Sequence, residues 1–304
     1  PAILVHTVAT GSALRRGRAI TVEGEGLAAA IELAGPALAW LLGDDALQPP
    51  LAGLLELIPT DAELGVVLPA PARAALDALV PRLRNARVAV VITGPRGSGR
   101  RAAAHRIARA LDRTLLVIPV PSVLALEQRA RAAILGHALA AAQLRDAVPF
   151  LADADALYDE RGDMAVEHLD AIAHTPGLIL AGSSGRGGHL ELKRPVLPAT
   201  LPRTELDDRE RAWAAALEPH GTAAVGPELA ARYVIGPGAI AEVVAEATRY
   251  AAAAGTSIDV GALEAAVGRR LSLRLGTFGT VVHRKSRFGD LVLPDDVIDT
   301  LRDM

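Results

Sequence analysis

Cysteine is missing from this chain of 304 residues, and lysine occurs at only two positions, Lys193 and Lys285. Without cysteine the chain has no disulfide, no thiol nucleophile and no cysteine-ligated zinc. A cysteine-free sequence fits a reducing compartment, so we expect a cytoplasmic protein. Arginine supplies nearly all of the 32 basic residues. We interpret this preference as the coding bias of a GC-rich gene.

The sequence also lacks long apolar runs and an excess of charge. No stretch reaches the roughly 18 consecutive apolar residues of a membrane span, and the most apolar candidate, residues 33–43, is interrupted by Pro36. The first residues lack the basic head and apolar core of a signal peptide. The net charge is -3, without the basic bias of a nucleic-acid-binding protein. We therefore expect neither nucleic acid nor membrane as a partner.

Apolar sequence, in contrast, is abundant, at 51% of the chain. It falls into continuous runs of the kind that form strands buried on both faces of a sheet. Segments with apolar residues at helical spacing separate these runs. Strands that alternate regularly with helices predict βαβ units and a parallel sheet. The predicted strands are 87–93, 114–120, 147–153, 177–182 and 190–197, and the predicted helices between and before them are 70–83, 100–111, 124–144 and 165–173.

After about residue 200 only helical patterns remain, at 207–217, 227–233, 239–253 and 260–275. The fold class is therefore predicted as α/β, with a parallel-sheet large domain and a small all-helical lid domain. We expect four parts. They are a mostly helical amino-terminal segment at 1–58 with a short strand at 18–23, the α/β domain at 59–200, the lid at 201–278 and a linker at 279–304.

A glycine-rich turn, Gly94-Pro-Arg-Gly-Ser-Gly-Arg-Arg101, follows the first predicted strand of the α/β domain and precedes a helix. In this context a phosphate-binding P-loop reads G-x-x-x-x-G-K-[ST]. Its glycines let backbone N–H groups surround phosphate, and the helix amino terminus adds partial positive charge. The alternative is a glycine turn without a ligand. The candidate nucleotide-binding residues are Gly94, Pro95, Arg96, Gly97, Ser98, Gly99, Arg100 and Arg101.

Two side chains depart from that motif. Arg100 stands where lysine is expected; it keeps the charge, but a planar guanidinium cannot simply replace a compact ammonium. Arg101 stands where a hydroxyl would bind magnesium, and a guanidinium has no lone pair for a metal. ATP or ADP therefore remains a candidate ligand of the loop, whereas magnesium binding and hydrolysis are in doubt.

Weaker candidates follow later strands of the predicted sheet. Asp153 can hold magnesium, in the way of the acidic residue at such a strand end in P-loop ATPases. Ala154 occupies the place of the glutamate that polarises water, and Asp155, one residue further in an extended segment, is expected to point away. Ser183 can position the attacking water, and Arg186 can act as an arginine finger. The alternatives are loop or helix-capping carboxylates, an ordinary turn and a solvated arginine.

A short repeat links two distant parts of the chain. The stretch Gly65-Val-Val-Leu-Pro69 resembles Asp290-Leu-Val-Leu-Pro294, and each precedes a predicted helix with a leucine at the same offset. Such a repeat predicts that a second copy of the module begins near the end of the sequence. We accordingly expect the parent protein to continue past Met304 into a P-loop with the intact lysine.

Taken together, these elements resemble a known family. The order of P-loop strand, Asp-ending strand, Ser-ending strand and helical lid resembles AAA+ ATPases. Five further pieces resemble the tandem ATPase of bacterial contractile injection systems, in which a degenerate AAA module precedes an intact one. These pieces are AWLLGDD at 39–45, LLELI at 54–58, RERAW at 209–213, GPGAI at 236–240 and FGDLVLP at 288–294.

The resemblance implies ATP-dependent work on, or regulation of, a phage-tail-like particle, and neighbouring AAA+ modules or subunits in a ring as partners. It assigns the loop at 94–101 to phosphate, Asp153 to the metal and Ser183 to water sensing. One hypothesis is a module that binds nucleotide or serves as a scaffold without hydrolysis. The alternative is an active phosphohydrolase or kinase that uses Arg100 and Asp153. A third is a small-molecule-binding α/β protein without a phosphate role.

Overall fold

Strands and helices alternate along most of the chain, as the apolar pattern predicts. The computed structural model describes residues 20–23, 30–33, 35–44, 46–47, 49, 51–185 and 190–275. The strands are β1 Ile20–Glu23, β2 Ala30–Leu33, β3 Glu56–Ile58, β4 Ala89–Thr93, β5 Leu115–Pro119, β6 Val148–Ala152, β7 Ile179–Ser183 and β8 Val196–Thr200. The helices are α1 Gly35–Leu41, α2 Ala70–Leu79, α3 Arg100–Ala110, α4 Val120–Leu124, α5 Gln128–Leu144, α6 Val166–His174, α7 Leu206–Leu217, α8 Gly226–Arg232, α9 Pro237–Ala254 and α10 Val260–Leu275.

Six of the strands form one sheet in the order β3-β5-β6-β7-β4-β8. All neighbours are parallel except β3, which pairs antiparallel with β5 at the edge. The predicted α/β class with a mostly parallel sheet is therefore confirmed. Because the carboxyl ends of parallel strands share one edge, the segments after β4, β7 and β6 lie side by side at that edge.

Successive side chains of each strand point to opposite faces of the sheet. They contribute to two hydrophobic cores, one on each face. In β4, Ala89 and Val91 face the core that contains α5, while Val90 and Ile92 face the core that contains α3. Such burial on both faces explains why β4 is a continuous apolar run rather than an alternating one. The end of this buried strand also determines where the glycine-rich turn begins.

The four helices α7–α10 form a separate hydrophobic core after the last strand. Trp213 is fully buried at its centre, packed with Ile240 and Val243 of α9 and Leu263 of α10. Ion pairs on the surface join α9 and α10, for example Arg269 with Glu246 at 2.7 Å. These helices thus have a core of their own, independent of the two that flank the sheet.

The first turn of α9 rests directly on the glycine-rich turn. The backbone N–H of Ala239 donates to the carbonyl of Gly97 at 3.1 Å. A Cβ added to Gly236 would lie 2.6 Å from that same carbonyl oxygen, and one added to Gly238 would lie 3.0 Å from the nitrogen of Gly99. Two glycines of the helical unit are therefore required for this close approach.

Two expectations about individual elements are wrong. In the described residues of the segment 1–58, which we predicted as mostly helical, α1 is the only α-helix, and β1, β2 and β3 are strands. The last strand begins at Val196 rather than Leu190. Leu190 and Leu192 are buried in strand-like alternation, but Lys193 has a φ of 47°, which breaks an extended chain before β8 begins.

In the part of the chain that the structure describes, no helix has both the length and the apolar character that crossing a bilayer requires. The second copy of the short repeat and the linker at 279–304 lie outside the described residues.

Replacing Gly236 by alanine should destabilise the packing of α9 against the turn. The added Cβ meets a backbone carbonyl, which cannot move aside as a flexible side chain can, so we expect a loss of about 1–3 kcal/mol in the free energy of unfolding. Urea denaturation followed by circular dichroism measures this loss.

Gly268→Ala is the matched control, because Gly268 lies within α10 with nothing near its added Cβ. Alanine there should be neutral or stabilise the helix by up to about 1 kcal/mol. Equal unfolding free energies for Gly236→Ala and the wild type would contradict the proposed contact.

Candidate phosphate-binding site

The turn between β4 and α3 is held by the ends of both strands that flank β4. The N–H of Gly94 donates to the carbonyl of Ser183 at 3.0 Å, and the N–H of Leu201 donates to the carbonyl of Thr93 at 2.7 Å. Within the turn, the N–H of Ser98 donates to the carbonyl of Pro95 at 3.0 Å. The sheet thus fixes both the start of the turn and its distance from the end of β7.

Positive φ angles of 84° at Gly97 and 96° at Gly99 turn the chain into α3. A side chain at either position would also collide with its surroundings: a Cβ at Gly97 would lie 2.8 Å from the Cβ of Ala239, and one at Gly99 would lie 2.7 Å from Cδ2 of Leu68. Left-handed backbone together with this crowding explains why both positions are glycine. The amino terminus of the eleven-residue helix α3 begins directly after this turn.

Arg100, the first residue of α3, is the most buried cation of the turn. Its side chain is only 10% exposed, and its Nη2 donates to Oδ1 of Asp153 at 2.7 Å. Its Nη1 is buried and has no hydrogen-bond partner, and neither has the buried Oγ of Ser98 in the preceding turn. A buried donor without an acceptor is costly. Arg100 and Ser98 therefore each keep one buried polar atom without a partner beside the glycine-rich turn.

Arg101 forms an ion pair with Glu56 on the edge strand β3. Both side chains are about half exposed, so this pair contributes little stability and can open at low cost. Pro95 and Arg96, the other two side chains of the turn, are exposed. The turn thus presents one buried and one solvent-accessible arginine at the start of the same helix.

The segment after β6 differs from the extended chain that we expected. Asp153 adopts a left-handed φ of 55°, and Ala154–Leu157 form a short 3-10 helix. Ala154, at the position of the missing glutamate, is fully buried in the core. Because of this turn, Asp155 does not point away from the site. Its carboxylate accepts hydrogen bonds from Oγ of Ser183 at 2.6 Å and from the N–H of Ser184 at 2.5 Å.

This hydrogen bonding alters the acidity of Asp155. Burial alone would raise the pKa of this carboxyl group, but the hydrogen bonds from Ser183 and Ser184, together with the nearby charge of Arg100, bring its pKa below the ordinary value of aspartate. Asp155 is therefore ionised at neutral pH and is a weakened base. Ser183, the candidate for positioning water, instead uses its hydroxyl proton to bind Asp155.

A cavity of about 510 Å³ lies beside the turn, a size typical of a site for a small molecule. Arg100, Arg101 and Asp153 line one side, and Gly238, Ala241 and Glu242 of α9 line the other. The apolar side chains of Leu64, Val66 and Phe150 contribute further walls. Glu56 and Glu242 could not be predicted here from the sequence, because elements distant in the chain bring them to the cavity.

The residues present do not fit a magnesium ion well. Magnesium requires oxygen ligands in near-octahedral arrangement, yet Arg101 replaces the expected hydroxyl and Asp153 is hydrogen-bonded to Arg100. Among the described residues no group of three or more His, Asp or Glu side chains could hold a metal. A phosphate group fits better, since Arg100 and Arg101 line the cavity as cationic donors at the start of α3. Arg186, the proposed arginine finger, lies outside the described residues.

Comparisons with known proteins add no family to this description: no protein-family model and no curated protein matches the chain.

Replacing Asp155 by asparagine should destabilise the carboxyl edge of the sheet. A charged acceptor for two donors is lost, and because the group is part-exposed we expect a modest cost of roughly 1–2 kcal/mol at neutral pH. A carboxyl group with a lowered pKa stabilises the fold above its unfolded pKa of about 3.9 and loses that contribution as the pH falls through the folded value. The variant should therefore differ from the wild type most at pH 7 and least near pH 3.

Urea denaturation of both proteins between pH 7 and pH 3 measures this convergence. Asp77→Asn is the control: Asp77 also has a lowered pKa, from its hydrogen bond with Arg106, but it lies on the exposed surface of α2, where such pairs contribute little. A pH-independent difference between Asp155→Asn and the wild type would show that the charge of Asp155 has no part in the effect.

Proposed function

We propose that this chain is a AAA+-type P-loop module that binds ATP or ADP without hydrolysing it. In this proposal it serves as a scaffold within a larger ATPase associated with a contractile injection system. The family assignment comes from the resemblance in sequence. The parallel sheet, the glycine turn between β4 and α3 and the following helical unit are compatible with it.

The main support for nucleotide binding is the burial and hydrogen bonding of Arg100. Its guanidinium is nine-tenths buried beside the cavity, held by Asp153 on one side and without a partner at Nη1. A phosphate oxygen at the amino terminus of α3 would accept from backbone N–H groups and, once the side chain shifts enough to expose Nη1, from the guanidinium, which has five N–H donors. The cavity beside it leaves room for the rest of a nucleotide.

Three features argue against hydrolysis. The position of the water-polarising glutamate is the buried Ala154, Asp155 is held by Ser183 and Ser184, and Asp153 is engaged by Arg100. In-line attack on a phosphoryl group depends on positioned water and on metal charge. For the same reasons the alternative of an active phosphohydrolase or kinase, using Arg100 and Asp153, has less support.

A module that does not hydrolyse ATP can still contribute to a ring through its contacts with neighbouring modules. The partners that the resemblance implies are neighbouring AAA+ modules or subunits and a component of the contractile injection system. Bound nucleotide would then fill the cavity between the strand ends and α9 and so fix the arrangement of these two parts.

Isothermal titration of the purified chain with ATP and with ADP tests binding, and a phosphate-release assay tests hydrolysis. We expect saturable binding with no release above background. Arg100→Ala should weaken ATP binding by at least about tenfold, because charged hydrogen bonds to phosphate are lost.

Arg109→Ala is the matched control, since Arg109 is an exposed arginine near the other end of α3. This variant should bind ATP as the wild type does. Absence of binding to either nucleotide would refute the proposed ligand, and robust magnesium-dependent phosphate release would refute the proposed loss of hydrolysis.

A further inference from the structure

Two arginines at the start of α3, Arg100 and Arg101, stand at the sequence positions where a P-loop carries its lysine and its magnesium-binding hydroxyl. Arg100 and Arg101 both line the cavity, and the carboxylates that face them, Asp153 and Glu56, are their ion-pair partners. The cations and carboxylates of this wall are therefore already matched. A metal ion would add positive charge to this wall, where the carboxylate oxygens that could bind it are already paired with arginines.

We infer that the site binds the nucleotide free of magnesium, with the two guanidinium groups supplying the positive charge that the metal provides elsewhere. This inference rests on the proposed nucleotide binding and adds the form of the nucleotide that the site selects. It concerns the charge of the ligand, not its base, since nothing in the wall distinguishes one base from another.

Each arginine can bind phosphate at a different cost. Nη1 of Arg100 has no partner but is buried, so the guanidinium must shift toward the cavity before a phosphate oxygen can accept from it. Arg101 must leave Glu56, but both side chains of that pair are about half exposed and become hydrated when it opens, which makes the exchange inexpensive. A phosphate chain can thus engage both cations through movements of the two arginine side chains.

Magnesium would oppose this arrangement in two ways. It neutralises part of the phosphate charge that attracts the arginines, and it brings a divalent cation within reach of two guanidinium groups, which repel it. Arg101 cannot serve as a ligand, and Asp153 could do so only by giving up Arg100. The metal-free nucleotide is therefore the better electrostatic complement of this site.

Titration of the whole chain with ATP, once in EDTA and once in excess magnesium, tests the inference by the heat of binding and needs no catalytic activity. We expect the dissociation constant to be unchanged by magnesium or raised by up to about tenfold. A dissociation constant that falls when magnesium is added would overturn the inference and leave the proposed nucleotide binding intact. Absence of binding in both titrations would instead refute the proposed function and, with it, the inference.

Asp153→Asn provides an independent arm. Asparagine keeps the size of the side chain and tolerates the left-handed backbone of this position, so the variant should fold. If Asp153 only partners Arg100, removing its negative charge should tighten ATP binding in EDTA by severalfold, because a repulsion with phosphate is lost. If Asp153 is a metal ligand, the variant should bind ATP more weakly in magnesium than the wild type does, and that result would contradict the inference.

Discussion

The hydrogen bond between Arg100 and Asp153 joins the first residue of α3 to the end of β6, two positions away in the sheet from β4. It buries a guanidinium that would be costly to bury alone, and it leaves one nitrogen of that guanidinium without an acceptor. The unpartnered donor of Arg100 and the engagement of Asp153 are therefore two consequences of one contact. A lysine, with a single compact ammonium on a flexible chain, could not hold Asp153 and a phosphate with separate, fixed donors in the same way.

The sheet order makes this contact available. With β7 beside β4 and β6 beside β7, the glycine turn, Ser183 and the segment at 153–155 meet at one edge, although more than 80 residues separate the first from the second. The left-handed Asp153 and the 3-10 turn after it then determine the roles. They direct Asp153 to Arg100 and Asp155 to Ser183, and they place Ala154 in the core.

How much of this could be predicted depends on how local each signal is. The strands at 87–93, 114–120 and 147–153 were predictable because burial on both faces leaves a continuous apolar run, and the turn at 94–101 because its glycines are needed for its backbone angles. The three-residue strand β3 carries no such pattern; its pairing with β5 forms it. The contacts of Asp155 with Ser183 and of Arg101 with Glu56 depend on elements far apart in sequence, and no spacing rule could have indicated them.

The contact between the turn and α9 bears on what a module without hydrolysis can do. The carbonyl of Gly97 accepts from Ala239, and the absence of side chains at Gly236 and Gly238 leaves no free space between the two backbones. Closely packed backbones move together or separate; they do not deform by small degrees. A ligand that reorients Gly97 must therefore displace the first turn of α9, and a ligand that fits the existing turn must hold α9 where it is. Under the proposed function, occupancy of the site would in this way be linked to the position of the helical unit without hydrolysis.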